Sequence, residues 1–300
     1  MHVLVAQQSH GSFRADTPPV LRVAPGETIR FETTETPIER LFAAGDDWLG
    51  ALDVRAINVV TGPVYVEGVE PGDAVAVEIL AVEPGSWGWC AAIPNFGALS
   101  HRIPKPMLRR VAIQDGEIEL TDRLRIPSRP MIGCLGLAPP NGESSTLAPP
   151  EAWGGNYDLT QIAPGTTVLF PAQIPGGLFS LGDLHAAMGA NEITGVSIEC
   201  PGAATVRLHV RKGLRLVTPR VETLTRIYTI GLQPQGRYAE ARAQAANLMW
   251  DYLVNERGCA PDAAYLLCSS ELDVELGGPA GMVVLAGMAR APLDTLSPPA

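Results

Sequence analysis

An aspartate and a histidine lie two residues apart in the segment GDLH, as Asp183 and His185. In extended backbone, side chains at positions i and i+2 point to the same side, so this spacing brings a carboxylate and an imidazole together. Such a pair can bind a divalent metal, or the aspartate can orient a histidine that acts as a base. On the local pattern alone, a purely structural Asp–His hydrogen bond at a tight turn is the more frequent interpretation.

Two glutamates, Glu192 and Glu199, follow on the next strand-like stretch. A hairpin through Gly189 would return this stretch toward His185. Because the two glutamates are separated by an odd number of residues, a regular strand places them on opposite faces. We therefore expect only one of them to join the site directly, Glu192 by preference, unless a bulge intervenes.

Polar residues in two other segments are candidates for positioning a substrate. Asn156 and Asp158 lie beside adjacent glycines in the segment WGGNYD, and glycines let a ligand approach the backbone closely. Asn58, in the segment INVVTGP, is able to hydrogen-bond a substrate amide. The alternative interpretations are an ordinary Gly-Gly turn with local side-chain bonds and a loop-capping asparagine.

Motifs of several enzyme classes are missing from the sequence. It has no Gly-x-Ser-x-Gly elbow, no serine in the context of the amidase-signature enzymes and no Glu-Lys-Cys arrangement of the nitrilase type. It also lacks Gly-x-Gly-x-x-Gly and Gly-Lys-Ser/Thr, so nucleotide phosphate binding has no support.

Composition and charge limit the kinds of binding partner and the cellular compartment that we expect. The chain has 32 acidic and 22 basic side chains, a formal net charge of -10, and its one basic cluster, between Arg207 and Arg220, is interpreted as a solvated strand face. Such a surface repels a phosphate backbone, so we expect no nucleic-acid partner. No apolar run approaches the roughly 20 residues that span a bilayer, and no export signal is expected. Five widely spaced cysteines without a Cys-x-x-Cys pair fit a reducing cytoplasm.

Frequent turn residues indicate a mainly β fold. Glycine (31) and proline (27) punctuate the first two-thirds of the chain, with strand-like segments between them. These segments are residues 28–32, 74–79, 166–170 and 205–210. Many short strands of this kind are typical of a sandwich or barrel. Residues 237–256 contain neither glycine nor proline and have apolar residues at helical spacing, which predicts a helix. A second helix from Pro261 and a strand at 282–285 follow.

The changes in composition divide the chain into three predicted parts. Residues 1–145 form an N-terminal β domain, and residues 146–225 form a central β segment that carries the site. Residues 226–300 form an α/β C-terminal portion. The proline-rich run at 138–150 is the clearest boundary.

Taken in order, several stretches resemble the acetamidase/formamidase family. They are TGPVYVEGVEPGD (61–73), PMIGCLG (130–136), GGNYD (154–158), GLFSLGDLHA (177–186) and AYLLCS (264–269). The resemblance implies hydrolysis of short linear amides, such as formamide or acetamide, to a carboxylate and ammonia. It also implies a jelly-roll-like or barrel-like β body with an α/β C-terminal portion, a homo-oligomer, and a divalent metal such as zinc or calcium.

The chain departs from the family pattern after His185. Ala190 stands where the family usually has an acidic residue, and Asn191 stands in place of a glycine. Asparagine is the non-glycine residue that best tolerates positive φ, so the turn is expected to survive. Without this carboxylate, the presumed site has one fewer candidate metal ligand or acid/base group beside it. It motivates the alternative of an inactive member that binds a small polar ligand.

The resulting hypothesis is an amide hydrolase in which an aspartate and a histidine hold a divalent metal or an activated water. A glutamate then moves the proton to the leaving amine. The candidate catalytic residues are Asp183, His185 and Glu192, the candidate metal ligands are Asp183, His185 and Glu199, and the candidate substrate-binding residues are Asn58, Asn156 and Asp158. Metal or backbone N–H groups beside Gly154 and Gly155 would stabilise the oxyanion. A metal-dependent β-barrel enzyme with other chemistry is a further alternative.

Overall fold

The computed structural model describes residues 1–54 and 56–294 of the chain. Arg55 and residues 295–300, the end of the predicted C-terminal portion, lie outside the described residues. Strands account for 41% and helices for 16% of the structure. The prediction of a mainly β fold with helices in the C-terminal part is therefore confirmed.

The described residues form 22 strands and four α-helices. The first eleven strands are β1 (His2–Leu4), β2 (Ser9–His10), β3 (Ser12–Arg14), β4 (Leu21–Val23), β5 (Thr28–Thr33), β6 (Val60–Val66), β7 (Ala74–Pro84), β8 (Trp87–Ala92), β9 (Met107–Gln114), β10 (Glu117–Thr121) and β11 (Leu124–Pro127). The others are β12 (Met131–Gly136), β13 (Glu143–Ser145), β14 (Gly154–Asn156), β15 (Thr167–Pro171), β16 (Phe179–Ala187), β17 (Ile198–Cys200), β18 (Gly202–Arg211), β19 (Arg220–Glu222), β20 (Arg226–Gln233), β21 (Asp273–Leu276) and β22 (Met282–Ala289). The helices are α1 (Thr36–Ala43), α2 (Tyr238–Asp251), α3 (Pro261–Glu271) and α4 (Arg290–Leu293), with short 3-10 turns at Gly45–Asp47 and Ser100–Arg102.

The strands assemble into two large sheets and one small one. The nine-stranded sheet has the order β1-β5-β18-β7-β15-β19-β20-β22-β21. The eleven-stranded sheet has the order β11-β10-β9-β8-β17-β16-β12-β14, with β6 attached to β16, and β2 and β4 attached to β6. Strands β3 and β13 form a separate pair. No closed barrel is found among the described residues, so the β body consists of open sheets and a barrel is not confirmed.

The main hydrophobic core joins the two large sheets. Phe31 of β5 and Phe179 of β16 meet edge to face, with ring centroids 5.7 Å apart, and both are fully buried. Such an aromatic pair contributes about 0.5–1.5 kcal/mol beyond the area it buries. Val75 and Val77 of β7 extend this core on the side of the nine-stranded sheet. The strand that carries the Asp-x-His pair is thus packed firmly against the second sheet.

The predicted helix after the β body is confirmed as α2, which continues into a π-helical turn at Tyr252–Glu256. Its predicted apolar positions Ala241 and Ala245 are fully buried, in one cluster with Val284 of β22. Gly231 on β20 permits this close approach, since a β-carbon there would clash with the backbone of α2. The predicted second helix and the last strand are present as α3 and β22.

The four strand-like segments lie in β5, β7, β15 and β18, with β15 starting one residue later than predicted, at Thr167. The nine-stranded sheet takes strands from all three predicted parts of the chain. The division at residues 145 and 225 stays a prediction. None of the helices in the described residues combines the length and the apolar character needed to cross a membrane.

The prediction that the basic cluster lies on a solvated strand face fails for one of its residues, Arg220. This residue is 6% exposed, and its guanidinium is paired with the carboxylates of Glu222 and Glu256. A buried arginine needs partners for its charge. Glu222 lies two residues further along the same strand, β19, whereas Glu256 comes from the turn after α2, which the sequence pattern does not reveal.

Candidate active site

Strand β16 carries both members of the Asp-x-His pair. Oδ1 of Asp183 lies 3.5 Å from Nε2 of His185, and the histidine side chain is 1% exposed. The predicted proximity is therefore present. Its origin differs from the prediction, because Asp183 has a positive φ of 59° and the strand is not regularly extended at this residue.

Gly133, on the neighbouring strand β12, leaves room for the convergence of donor atoms. A β-carbon at this position would lie 2.6 Å from Oδ1 of Asp158, 2.8 Å from Nε2 of His185, and closer still to Oδ2 of Asp183. Contacts under 3.0 Å essentially never occur for real β-carbons. Only glycine therefore lets three donor atoms face the same small gap, and no spacing rule singles it out in the sequence.

Glu199 lies directly opposite His185 in the antiparallel pair of β16 and β17. Its Oε2 is 3.1 Å from Nε2 of His185. Its Oε1 accepts hydrogen bonds from the backbone N–H of Ser197 at 2.9 Å and from the hydroxyl of Ser197 at 2.8 Å. One oxygen of the carboxylate is thus anchored, and the other faces the imidazole.

Glu192 reaches the same imidazole from a loop. Of the predicted strand from 192 to 199, only its end belongs to a strand, β17, so that prediction is wrong. Glu192 has a positive φ of 40° and is 7% exposed. Three donor atoms, one from each of the side chains of His185, Glu192 and Glu199, all lie within 4.8 Å of one another. The expectation that only one glutamate joins the site is also wrong, because the loop rather than strand alternation directs Glu192.

Asn58, Asn156 and Asp158 form a chain of hydrogen bonds beside His185. Nδ2 of Asn58 donates to Oδ1 of Asn156 at 2.9 Å, and Nδ2 of Asn156 donates to Oδ2 of Asp158 at 2.8 Å. Oδ1 of Asp158 lies 3.7 Å from Nε2 of His185. Within the described residues, this oxygen and Oδ1 of Asn58 are buried without a hydrogen-bond partner. The predicted substrate-binding residues therefore lie together, with two free acceptor atoms.

The adjacent glycines are not placed at the site. The N–H of Gly154 donates to the carbonyl oxygen of Glu151 at 3.1 Å, and Gly155 pairs with Leu135 between β12 and β14. Neither glycine is among the described residues that line the cavity next to His185. The expectation that their N–H groups stabilise an oxyanion is not supported, because this segment pairs with β12 and closes a local turn.

The two departures from the family pattern have different consequences. Ala190 is exposed and is not among the described residues that line the pocket, so the acid missing there does not leave a hole in the donor cluster. Asn191 adopts a φ of 69°, as expected for a residue that replaces glycine in a turn. Its Nδ2 also donates to the carbonyl oxygen of Gly277 at 2.7 Å, which holds the turn in place.

Burial and mutual charge shift the pKa values of the cluster. Burial raises the pKa of Asp183 to about 6 and that of Glu192 to about 9, and it raises the pKa of Asp158 well above its usual value. For His185, burial disfavours the charged ring, but the charges of Glu199 and Asp183 outweigh it and raise the pKa well above 6.5. For Glu199, burial is outweighed by the charge of His185 and by hydrogen bonds, so its pKa is lowered. The cluster thus holds more acidic groups than one histidine neutralises.

Glu35 is a site residue that no sequence pattern singled out. It precedes α1, and its Oε2 accepts a hydrogen bond from Nε1 of Trp89 at 2.9 Å. Burial of the carboxyl group, followed by the charge of Glu199, raises its pKa to about 8. A glutamate before a helix that starts with Thr-Pro is typical of an exposed N-terminal acid. Only the packing of α1 against β8 turns this carboxyl group into the pocket.

The polar groups share a cavity of about 390 Å³ with a large apolar wall. The wall residues are Ile38, Leu41, Trp48, Leu52, Ile57, Trp89, Ala91, Ile93, Leu108 and Val196. Val54, Phe96 and Leu147 also line the cavity and are 55%, 46% and 39% exposed, so they mark its mouth. The arrangement is that of a small-molecule site, with a few convergent polar groups in an apolar setting.

The donor set fits a divalent metal. Two overlapping groups, Asp158–Asp183–His185 and His185–Glu192–Glu199, each have their donor atoms within 4.8 Å of one another. Imidazole and carboxylate are ligands of zinc, and oxygen-rich sets also suit calcium. The unpartnered Oδ1 of Asp158 and the gap over Gly133 are the features that carry this fit. Buried carboxylates that repel one another are stabilised by a cation among them.

Comparison with known proteins gives relatives over both halves of the chain. The formamidase of Methylophilus methylotrophus is 26% identical over 252 residues, which is 62% of this chain and 60% of that protein. The chain thus spans about three fifths of that relative's length. A structure described as a predicted acetamidase/formamidase of Thermoanaerobacter tengcongensis matches with a TM-score of 0.91 and 28% identity, over 98% of this chain and 97% of that one. The acetamidase of Bacillus halodurans matches with a TM-score of 0.90 and 30% identity, over 98% and 99%.

The family model of the acetamidases and formamidases matches residues 3–144 and 141–283. These ranges include the strands β12, β16 and β17, from which the cluster around His185 is built, and the segment that holds Asp158. The resemblance seen in the ordered sequence stretches is confirmed, and the chain belongs to the acetamidase/formamidase family.

Proposed function

We propose that this chain is a hydrolase that breaks the C–N bond of an amide with water and releases a carboxylate and ammonia. The observation that carries the proposal is the convergence of three carboxylates, of Asp158, Asp183 and Glu199, on Nε2 of His185 at 3.7, 3.5 and 3.1 Å. Membership of the acetamidase/formamidase family supports amide hydrolysis as the class of reaction.

Asp158, Asp183 and His185 would hold a divalent cation, with Glu199 beside them, because their donor atoms face the gap over Gly133. When bound, such a cation supplies Lewis-acid polarisation of the amide carbonyl group. The imidazole favours zinc, while the number of carboxylates also suits calcium. Compared with the set expected from the sequence, which was Asp183, His185 and Glu199, the proposal adds Asp158 and places Glu199 next to the cation-holding residues.

Glu192 is the group that we assign to proton transfer. Its carboxyl group is buried beside His185, and it stands outside the hydrogen-bonded chain from Asn58 to Asp158. A cation held beside His185 would offset the repulsion from the neighbouring carboxylates and favour the ionised form of Glu192. As the oxygen of water bonds to the carbonyl carbon, a proton passes from that water to the carboxylate of Glu192. The same proton is then given to the nitrogen as the C–N bond breaks, so ammonia leaves as a neutral molecule. The acyl product is a carboxylic acid that keeps the second proton of the water, and it becomes the carboxylate when it releases this proton to solvent.

The asparagines have separate roles in this proposal. Asn58 lines the pocket, and its Oδ1 is buried without a partner among the described residues. We therefore assign this oxygen to accept a hydrogen bond from the N–H of the amide. Asn156 is a positioning residue, because its Nδ2 holds Oδ2 of Asp158 and thereby leaves Oδ1 of that carboxylate facing His185.

The test is ammonia release by the purified protein from formamide, acetamide and longer primary amides, after treatment with a chelator and with zinc or calcium restored. We expect turnover that is lost in His185→Ala with the fold intact by circular dichroism. His101→Ala is the matched control, since His101 is exposed and does not line the pocket. Silence on every amide together with retained binding of a small polar ligand would instead support an inactive family member. A homo-oligomeric state and a cytoplasmic location stay predictions.

A further inference from the structure

We infer that the substrate is a primary amide with a bulky apolar acyl group, of roughly six carbon atoms or more, rather than formamide or acetamide. This inference rests on the proposed function, because it concerns the acyl side of the bond that the site would cleave. It is carried by the wall of the cavity, which the donor cluster does not explain.

The wall is a hydrophobic core of its own. Ile38 and Leu41 from α1 pack with Trp48, and with Trp89 and Ala91 of β8. The exposed fractions of these side chains are only 1% to 8%, yet all five residues also line the cavity. An apolar surface that faces an internal space gains most when an apolar group of a ligand fills that space.

The size of the cavity agrees with a large acyl group. Apolar cavities of about 150 Å³ already accept benzene, and this cavity measures about 390 Å³. Formamide and acetamide carry no carbon atoms, or one, beyond the amide group. Either would occupy a small part of the space beside His185 and leave the wall at Ile38, Leu41 and Trp48 in contact with water only.

The mouth of the cavity is apolar as well. Val54, Phe96 and Leu147 are all more than one third exposed and line the same cavity. Exposed apolar residues that occur together, unlike single ones, are typical of a binding site. A substrate with a hydrocarbon part would contact these residues on entry. The carboxylates and asparagines hold the amide group, so the acyl group is directed to the apolar wall.

The first test compares kcat/KM of the metal-restored protein for formamide, acetamide, butyramide, hexanamide and phenylacetamide. We expect kcat/KM to rise roughly fourfold per added methylene, because burying one contributes about 0.8 kcal/mol. From acetamide to hexanamide the rise is then on the order of 200-fold. A flat series, or a maximum at formamide or acetamide, would overturn the inference and leave amide hydrolysis standing. Absence of ammonia from every amide would instead remove the proposed function itself.

A second series distinguishes the acyl side from the amine side. N-butylacetamide places the same hydrocarbon on the nitrogen. We expect its kcat/KM to stay at or below that of acetamide, and a preference for it over hexanamide would overturn the assignment to the acyl group.

A variant connects the preference to the wall. Ala91→Leu adds bulk inside the cavity, and we expect the ratio of kcat/KM for hexanamide to that for acetamide to fall at least tenfold. Ala112→Leu is the matched control on the exposed face of the adjacent strand β9, and it leaves the ratio unchanged. If Ala91→Leu does not fold, inhibition of wild-type acetamide turnover by straight-chain carboxylates decides the question. Inhibition must strengthen with chain length, and equal inhibition by acetate and hexanoate would overturn the inference.

Discussion

Gly133 faces His185 so closely that a β-carbon on residue 133 would lie 2.8 Å from Nε2 of the imidazole. The two residues belong to the paired strands β12 and β16, and the same missing β-carbon leaves space for Asp158 and Asp183. The geometry of the donor cluster therefore depends on the absence of a side chain at residue 133 as well as on the four acids and the histidine.

The first prediction concerns this gap. Gly133→Ala should lower kcat/KM for the best amide at least 100-fold, because displacing donor atoms by about 1 Å costs roughly that factor. The added methyl group should also weaken zinc binding, measured by titration of the chelator-treated protein with a metal indicator. Far-ultraviolet circular dichroism should remain that of the wild type.

Gly189→Ala is the control for this substitution. Gly189 lies in the loop after the site strand, and a β-carbon there would meet no atom within 4 Å. Its activity and zinc affinity should stay within about twofold of the wild type, since surface substitutions usually change little. Wild-type activity in Gly133→Ala would show that the gap over this residue is not used.

The second prediction concerns the cross-strand pair of Glu199 and His185. Glu199→Gln keeps the shape of the side chain but removes the charge that lies 3.1 Å from Nε2. We expect losses of roughly 10- to 100-fold in both kcat/KM and metal affinity, the range for residues that support a metal site. Steady-state kinetics and metal titration measure the two effects.

Ser197→Ala provides a graded comparison. It removes the hydroxyl donor to Glu199 but keeps the backbone N–H donor to the same oxygen. The expected loss in kcat/KM is roughly five- to tenfold, corresponding to about one hydrogen bond. An effect in Ser197→Ala as large as that in Glu199→Gln would contradict the idea that the charge of the carboxylate matters most.

Local spacing and strand pairing explain which parts of the site were accessible from the sequence. The proximity of Asp183 and His185 was predicted from their separation, although the backbone at Asp183 has a positive φ and is not regularly extended. The expected return of a glutamate to the imidazole is also present. The pairing of β16 with β17 places Glu199 opposite His185, which a hairpin prediction can reach. The helix α2 followed from apolar spacing and from the lack of Gly and Pro.

The remaining features depend on contacts between distant segments. Glu192 joins the site through a positive φ in a loop, and strand alternation cannot foresee this. Glu35 is brought in by the packing of α1 against β8, more than 50 residues further along the chain. Gly133 has no side chain whose chemistry would attract notice. Each of these positions becomes visible only when the two sheets and α1 are placed together.

The third prediction concerns the pH dependence of stability. Burial alone would raise the pKa of Asp73, but hydrogen bonds from Lys212 and from the backbone N–H groups of Gly213 and Glu70 lower it to about 2. Because the folded pKa lies below the unfolded value of about 3.9, this stabilisation is present above that value and is lost as the pH falls toward 2. Asp73→Asn should lower the free energy of unfolding at pH 7 by about 1–2 kcal/mol.

Urea unfolding at pH 7 and at pH 2.5 measures this difference between the two proteins. The gap between wild type and Asp73→Asn should shrink toward zero at the lower pH. Asp122→Asn is the control, since Asp122 is exposed in the turn between β10 and β11. A gap that stays constant with pH would mean that the carboxylate charge of Asp73 does not contribute.

The last prediction concerns Glu35, whose pKa is raised to about 8, above all by burial and then by the charge of Glu199. An acid whose pKa is higher in the folded state than in the unfolded state lowers stability progressively as the pH rises from about 4.5 to about 8. Glu35→Gln keeps an acceptor for the indole N–H of Trp89 and has no proton to lose. In chelator-treated protein, we therefore expect the variant to resemble the wild type at pH 5 and to exceed its stability at pH 9. Thermal unfolding at the two pH values decides this, and a variant less stable than the wild type at pH 9 would show that the ionised carboxylate is favourable in the pocket.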